Sequence, residues 1–257
     1  MSADLSLFDL SGHRALITGS GRGIGLALAR GLATAGAKIV LNDIDEARVA
    51  AAAEELRAEG FEVECSVFDV TSHEASAKAI AEIEAKVGPI DILVNNAGIQ
   101  RRAPLEDFDP ANWDAILKVN LSSVFNVSQA VARAMIPRGR GKIINICSVQ
   151  SQLARPTIAP YAATKGAVAM FTRGQCTDWA RYGIQINGIA PGYFATEMNT
   201  ALVENDEFST WLCKRTPAGR WGKVEELVGA AVFLSSPAAD FVNGQVLYVD
   251  GGLTACV

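Results

Sequence analysis

Ala15-Leu-Ile-Thr18 runs directly into Gly19-Ser-Gly21-Arg-Gly23-Ile-Gly25, and an apolar helical pattern then continues through Leu26, Leu28, Ala29 and Leu32 until Gly36 stops it. No other stretch restricts the fold as strongly. A strand, a glycine turn and a helix in that order give a backbone that turns sharply and closes on a pyrophosphate. Free N–H groups and the positive end of the helix favour the phosphate charge. The alternation then repeats. A strand over Lys38 to Asn42 is followed by helical alanines and leucines from Ala47 to Ala58 and a strand-like alternation over Phe61 to Phe68. A helix over Ser72 to Val87 and an apolar strand over Ile90 to Val94 lead into Asn95-Asn-Ala-Gly98. This order predicts a parallel, doubly wound sheet. Its ligands sit beyond the strands' carboxyl ends, where Gly19, Asp43, Asp69 and Asn95 fall.

Asp43 closes the second strand, roughly twenty residues past the glycine turn, where an acid accepts hydrogen bonds from an adenosine ribose. Its charge repels a 2′-phosphate, and Ile44 after it offers no basic partner, so NAD is favoured. Arg22 inside the turn argues the other way, since a guanidinium meets a 2′-phosphate well, and NADP therefore stays open. Capping a helix before Glu46 is a competing role for Asp43. Asp69 and Val70 end the third strand in a position to bracket an adenine.

Composition excludes several other classes. The 257 residues carry no linker or charge block, so one domain over 1–257 is expected. The net charge is −5 and the basic residues are scattered, which leaves no footprint for nucleic acid or an anionic membrane. Five cysteines without a C-x-x-C pair, and two histidines, His13 and His73, argue against a disulfide framework or any metal site. Asp4 and Asp9 stand where a signal peptide needs a basic flank, and no apolar run reaches the ~18 residues of a membrane span. A cytoplasmic setting is expected.

The second half supplies reactive groups. Trp113 to Met135 reads as one long helix with Asn120 in its apolar middle, and a fifth strand over Lys142 to Cys147 delivers Ser148 at its carboxyl end. Tyr161 and Lys165 follow, four residues apart and hence on one face if a helix starts there. An ammonium beside a phenol favours the phenolate and lowers the tyrosine pKa toward the range of a general acid/base. Further on, a helix over Val224 to Leu234 precedes a seventh strand over Gln245 to Val249.

Thr18-Gly19-x-x-x-Gly23-Ile-Gly25, Asn95-Asn-Ala-Gly98, Asn120, Ser148, Tyr161-x-x-x-Lys165 and Pro191-Gly192 together resemble the short-chain dehydrogenase/reductase family, and the match covers nearly the whole chain. The resemblance implies an α/β Rossmann fold, single-domain, with a seven-stranded parallel sheet and helices on both faces. It also implies a nicotinamide cofactor and a catalytic tetrad of Asn120, Ser148, Tyr161 and Lys165. Ser148 would hold the substrate oxygen, Tyr161 pass its proton, Lys165 bind the nicotinamide ribose, and Asn120 hold a water that links Lys165 to solvent. The cofactor set comprises Gly19, Ser20, Arg22, Gly23, Ile24 and Gly25 of the turn, then Asp43, Ile44, Asp69 and Val70. Asn96, Ala97, Gly98, Tyr161, Lys165, Pro191, Gly192 and Thr196 complete it. A homotetramer is a further expectation of the resemblance.

Outside those motifs, NNAGIQRRAP (95–104), ICSVQSQLARPTIAP (146–160), PGYFATEM (191–198) and WLCKRTPAGRWG (211–222) resemble the gluconate 5-dehydrogenases, also called 5-keto-D-gluconate reductases. These stretches lie where substrate must sit, which implies oxidation of C5 of D-gluconate and the reverse reduction. A sugar acid needs a cation for its carboxylate and amides for its hydroxyls. Arg101, Arg102 and Arg155 are candidates for the first and Gln150 and Gln152 for the second, beside Ser148 and Tyr161. Gln152 departs from the acidic residue of that pattern and keeps the shape without the charge. Residues 192–222, with Lys214, Arg215, Arg220 and the aromatics Tyr193, Phe194, Phe208, Trp211 and Trp221, read as a lid over the cofactor. Another small keto or polyol substrate, or a 3-oxoacyl thioester, is the alternative; an acyl carrier would favour a basic docking face and an open entrance, whereas these arginines and glutamines suit a small polar acid.

Overall fold

Among residues 5–256, which the computed structural model describes, seven strands form one sheet in the order β3-β2-β1-β4-β5-β6-β7. They are β1 (Arg14–Ile17), β2 (Lys38–Leu41), β3 (Val63–Cys65), β4 (Ile92–Asn95), β5 (Gly141–Ile146), β6 (Ile184–Pro191) and β7 (Val246–Val249), and every neighbouring pair is parallel. Asp4 lies outside the described residues. The helices are α1 (Gly23–Thr34), α2 (Glu46–Ala58), α3 (His73–Lys86), α4 (Pro110–Leu117), α5 (Ser123–Arg138), α6 (Ala159–Trp179), α7 (Thr200–Val203), α8 (Asp206–Arg215) and α9 (Val228–Ser235).

Strand residues alternate between two apolar layers because successive side chains leave a strand on opposite faces. Ala15, Ile17, Ile39 and Ile92 pack with Leu28 and Leu32 of α1, Val49 of α2 and Leu234 of α9. Leu16, Val40, Leu93 and Ile143 pack on the other side with Ile80 of α3 and Val127 and Val131 of α5. Both faces are thus covered, as an all-parallel sheet requires. Strand order reverses between β1 and β4, and the crevice at their carboxyl ends is where the site forms.

A buried polar net fixes the centre of the sheet against its helices. Asn95 Nδ2 donates to Asn145 Oδ1 at 2.9 Å and to Ser128 Oγ at 2.8 Å, while Asn145 Nδ2 donates to Thr172 Oγ1 at 2.9 Å and Gln175 Oε1 at 2.8 Å. β4, β5, α5 and α6 are therefore locked in register by directional bonds as well as by apolar packing.

Three elements differ from the sequence expectation. The helix expected over Trp113 to Met135 starts at Pro110, runs to Arg138 and is broken by a π turn over Lys118–Ser122 that contains Asn120. Apolar spacing around Val119 and Leu121 does not register one widened turn. The strand expected over Phe61 to Phe68 shrinks to β3, because Asn42 Nδ2 draws Ser66 O and Phe68 O across the strand end, both at 3.1 Å. The helix expected from Val224 opens with a 3-10 turn over Val224–Leu227 before α9.

Candidate active site

Thr18 and the Asn95–Gly98 loop tie the glycine turn to the middle of the sheet. Thr18 Oγ1 accepts from Asn96 N at 3.0 Å and Ala97 N at 3.1 Å, and Asn96 Nδ2 donates to Thr18 O and Gly19 O, each at 2.9 Å. A side chain at Gly25 would stand 2.5 Å from both Gly19 O and Asn96 Nδ2, so only glycine lets α1 approach this closely. Arg22, ahead of α1, makes no side-chain cap, which leaves the first N–H groups of the helix facing the crevice. Unpartnered donors at a helix start fit a pyrophosphate, so the residues present suit a dinucleotide. The crevice is a cavity of about 570 Å³, and Gly19, Arg22, Gly23, Ile24 and Gly25 line its near end with Asp43, Ile44, Asp69 and Val70. Asn96, Ala97, Gly98, Pro191, Gly192 and Thr196 also line it. Ser20 does not, since its hydroxyl is fully buried and donates to Ile17 O at 2.8 Å while accepting from Asn42 N at 3.0 Å. It joins two strand ends.

Asp43 has a basic partner after all. Arg48 Nη1 lies 3.2 Å from Asp43 Oδ1 and Arg48 Nη2 lies 2.9 Å from Asp45 Oδ2. The residue after Asp43 does not decide this, because Arg48 sits in the first turn of α2 and reaches back. Asp45, whose carboxylate accepts from Arg48 N at 3.0 Å, is the cap of α2, so the capping role considered for Asp43 belongs two residues on. Arg48 also crosses the glycine turn: a side chain at Gly21 would meet Arg48 Cγ and Asp43 Oδ2 at 2.8 Å. Both guanidiniums at this end, Arg22 and Arg48, line the cavity. Arg22 pairs at 2.8 Å with Glu197, which follows Thr196 on the opposite wall.

Ser148 leaves β5 as the cap of a short 3-10 turn, Val149–Ser151. Its Oγ accepts from Gln150 N at 3.1 Å, and Ser151 Oγ, which accepts from Ser148 N at 3.3 Å, donates to Lys165 O at 2.8 Å. The turn is thereby bolted to α6. Tyr161 stands in the first turn of α6 with Ser148 as its side-chain hydrogen-bond partner. Lys165, one turn on, is 5 % exposed, with Nζ 5.8 Å from the Tyr161 ring centre, and it donates to Ile146 O at 2.6 Å. Ser148, Tyr161 and Lys165 all line the cavity.

The electrostatics differ from the sequence expectation of a tyrosine lowered by its lysine. Burial pushes the Tyr161 phenol up to about 12, outweighing the Ser148 hydrogen bond that pulls it down. Burial also pushes Lys165 down to about 8. Desolvation disfavours the charged form of each, and it outweighs the Ser148 hydrogen bond at the phenol and the field of Cys147 at the lysine.

Asn120 Oδ1 accepts from Ile99 N at 2.8 Å, and its Nδ2 donates to Ile99 O at 2.9 Å and to Thr164 Oγ1 at 3.4 Å, so the amide ties the Ile99 backbone to α6. The side chain lies behind the cavity wall and fixes the Asn95–Arg102 loop.

Of the substrate candidates, Arg101, Arg102, Gln150 and Arg155 line the cavity, whereas Gln152 is exposed at the end of the 3-10 turn and outside the lining. Arg101 and Arg102 are exposed and donate to Gln100, through its carbonyl and its side-chain oxygen. Residues 192–222 hold α7 and α8, with Tyr193, Phe208, Trp211 and Trp221 in one aromatic cluster. Within it, Arg215 is spent on Leu253 O and Cys256, and Arg220 on Glu226. The residues that sequence reasoning missed are Arg48, Glu197 and the Asn95–Asn145 net. Asp45-x-x-Arg48, a capping acid with a basic residue one turn on, was the readable signal for Arg48; the other two depend on segments far apart in the chain.

Comparison with known proteins agrees with this geometry. A family model described as short chain dehydrogenase matches residues 13–207. Gluconate 5-dehydrogenase of Gluconobacter oxydans (strain 621H) is 64% identical over 248 residues, covering 96% of this chain and 97% of the relative. The 5-keto-D-gluconate 5-reductase of Escherichia coli (strain K12) is 58% identical over 252 residues, 98% of this chain and 99% of the relative. A crystal structure of a gluconate 5-dehydrogenase from Burkholderia cenocepacia J2315, in complex with NADP and tartrate, superimposes with a TM-score of 0.96 at 69% identity and covers 98% of this chain and 99% of that one.

Proposed function

The chain belongs to the short-chain dehydrogenase family and is an NAD(P)-dependent oxidoreductase, and from that premise we propose that it moves hydride reversibly between the cofactor and C5 of D-gluconate or 5-keto-D-gluconate. The observation that carries this reading is the near full-length identity of 58% and 64% to two curated enzymes of that activity. A hydroxy acid, tartrate, in the complex of the 69% identical relative supports a polyhydroxy carboxylate as the ligand class. The thioester alternative has no comparable support.

NAD(P), when bound, supplies the hydride acceptor or donor. Ser148 orients the substrate oxygen and Tyr161 exchanges its proton. Lys165 supplies positive charge next to the phenol as it ionises, and Asn120 positions the Ile99 loop. Among Gly19, Gly23, Ile24 and Gly25, free N–H groups take the pyrophosphate. Asp43 favours the unphosphorylated ribose of NAD, while Arg48 and Arg22 equip the same end for the 2′-phosphate of NADP once each leaves its carboxylate. We therefore assign NAD as preferred and NADP as accepted.

One domain with residues 192–222 as a substrate lid is the organisation we propose, in a cytoplasmic homotetramer. Five free cysteines support a reducing compartment, and no helix among the described residues is long and apolar enough to cross a membrane. Exposed Trp113, Phe125 and Met170 on α4 to α6, and Leu247 on β7, are the apolar side chains that subunit contacts would cover.

Absorbance at 340 nm with D-gluconate and NAD, then NADP, and with 5-keto-D-gluconate and reduced cofactor, tests the reading. Turnover in both directions is expected. No turnover of either compound, with activity on a different polyol, overturns it.

A further inference from the structure

Three polar side chains that line the same cavity as Tyr161 converge from three separate segments. Gln150 lies on the turn after Ser148, Arg155 on the loop before α6, and Tyr193 where the chain leaves β6. Gln150 Nε2 donates to Tyr193 Oη at 3.4 Å, and Arg155 hydrogen-bonds the same phenol. The Arg155 guanidinium also lies 5.3 Å from the centre of the Phe208 ring on α8. Phe208 in turn packs on Tyr193 at 5.6 Å, and Tyr193 meets Trp221 edge-on at 5.9 Å. Arg155 is thus held by the lid's aromatic cluster as well as by its own loop.

The cluster is chemically incomplete. Gln150 is 8 % exposed, yet its Oε1 has no hydrogen-bond partner among the described residues, and neither has Arg155 Nε. Both atoms are shielded from solvent, and such groups are costly unless a partner arrives. Among the described residues neither Arg155 nor Arg102 forms an ion pair with a carboxylate, although twelve other pairs are present. Burial and then the field of Arg155 hold the Arg102 guanidinium below its ordinary value, so the two cations face one another's repulsion. An acceptor-only oxygen and two unneutralised guanidiniums are matched by one small group, a carboxylate with a hydroxyl on the adjacent carbon. The carboxylate accepts from the guanidiniums, and the hydroxyl donates to Gln150 Oε1.

We infer that Gln150, Arg155 and Tyr193 form a specificity subsite for the α-hydroxycarboxylate end of the substrate, and that filling it draws the lid shut through Phe208 and Trp221. The inference rests on the sugar-acid reading above and adds which end of the acid is read, and by what. Tyr193 acts here as a positioning residue, because it holds Arg155 and Gln150 in place from the lid. The neutral polyol with the same hydroxyl pattern is refused because it leaves Arg155 and Arg102 without an anion.

The test combines lid tryptophan emission with kinetics on the full-length enzyme and saturating cofactor. D-gluconate is expected to shift the emission of Trp211 and Trp221, while D-glucitol at ten times the concentration does not. Arg155→Gln should raise the KM for D-gluconate about 30-fold with kcat changed less than about threefold, and Arg155→Lys should recover part of the loss. Tyr193→Phe should raise KM about fivefold and reduce the emission shift. A KM within twofold of wild type in Arg155→Gln, or equal use of glucitol and gluconate, overturns the subsite. Tartrate separates the two readings. An emission shift with tartrate that Arg155→Gln abolishes upholds the subsite even if gluconate is not turned over. No shift with tartrate or gluconate removes the subsite even if a polyol reaction is found.

Discussion

Ser148, Tyr161 and Lys165 stand on the ends of central elements, joined through Asn145, Thr172 and Ser151 to bonds buried inside the sheet and α6. The rim opposite them is held quite differently. Arg22 and Glu197, which link the glycine turn to the 192–222 segment, are 60% and 68% exposed, and Arg48 makes its pairs with Asp43 and Asp45 at 35% exposure. Exposed ion pairs contribute little and exchange readily, whereas a satisfied buried net permits one geometry. The difference suits the two tasks. Proton transfer needs fixed distances, and admission of a large dinucleotide and a substrate needs walls that let go.

Each side of that contrast can be broken separately. The largest effect belongs to the floor: Tyr161→Phe should lower kcat by about 10³-fold while the cofactor dissociation constant stays within about twofold. Near-normal turnover in that variant would remove Tyr161 from the chemistry. On the rim, Arg48→Ala should weaken NADP by about 20-fold and NAD by less than about threefold, read as dissociation constants from quenching of protein fluorescence. Equal losses for both cofactors would show that Arg48 only braces the turn.

The third effect is a pH limb. Lys165 carries its proton below about 8 and is neutral above it. In the proposed mechanism that charge assists the phenol as it gives up its proton during ketone reduction. That rate constant, kcat/KM, should therefore fall by about tenfold per unit above the lysine's value, while Tyr161 itself stays protonated to about 12. A profile level to pH 10 would detach the limb from Lys165. The smallest effect returns to the rim. Glu197→Gln should leave Tm unchanged within about 1 °C and speed cofactor release by about threefold, measured by stopped flow.

Much of the floor was legible in the chain because its signals are local. A glycine turn announces itself within a strand–turn–helix, and Tyr161 with Lys165 needs one helical turn to share a face. The π turn at Asn120 was not legible, since one widened turn leaves the apolar spacing nearly unchanged. Nor was the pairing of Asp43, because a reading confined to its immediate neighbour stops at Ile44 and misses a side chain that folds back from α2. Gln152 shows the reverse error: it shares a short motif with Gln150, yet the 3-10 turn sends one amide into the cavity and the other to solvent.

Strand and helix periodicity and the glycine turn were enough for the sequence alone to determine a doubly wound sheet with a dinucleotide crevice, and the resemblance implied the nicotinamide. Only the tertiary structure decided the charge state of the floor and the composition of the far wall. Desolvation depends on everything packed around a group, which is why Tyr161 rises and Lys165 falls where spacing predicted the opposite for the tyrosine. The wall is made by Gln150, Arg155, Tyr193 and Phe208, residues brought together from separate segments, and no local pattern in the chain records that meeting.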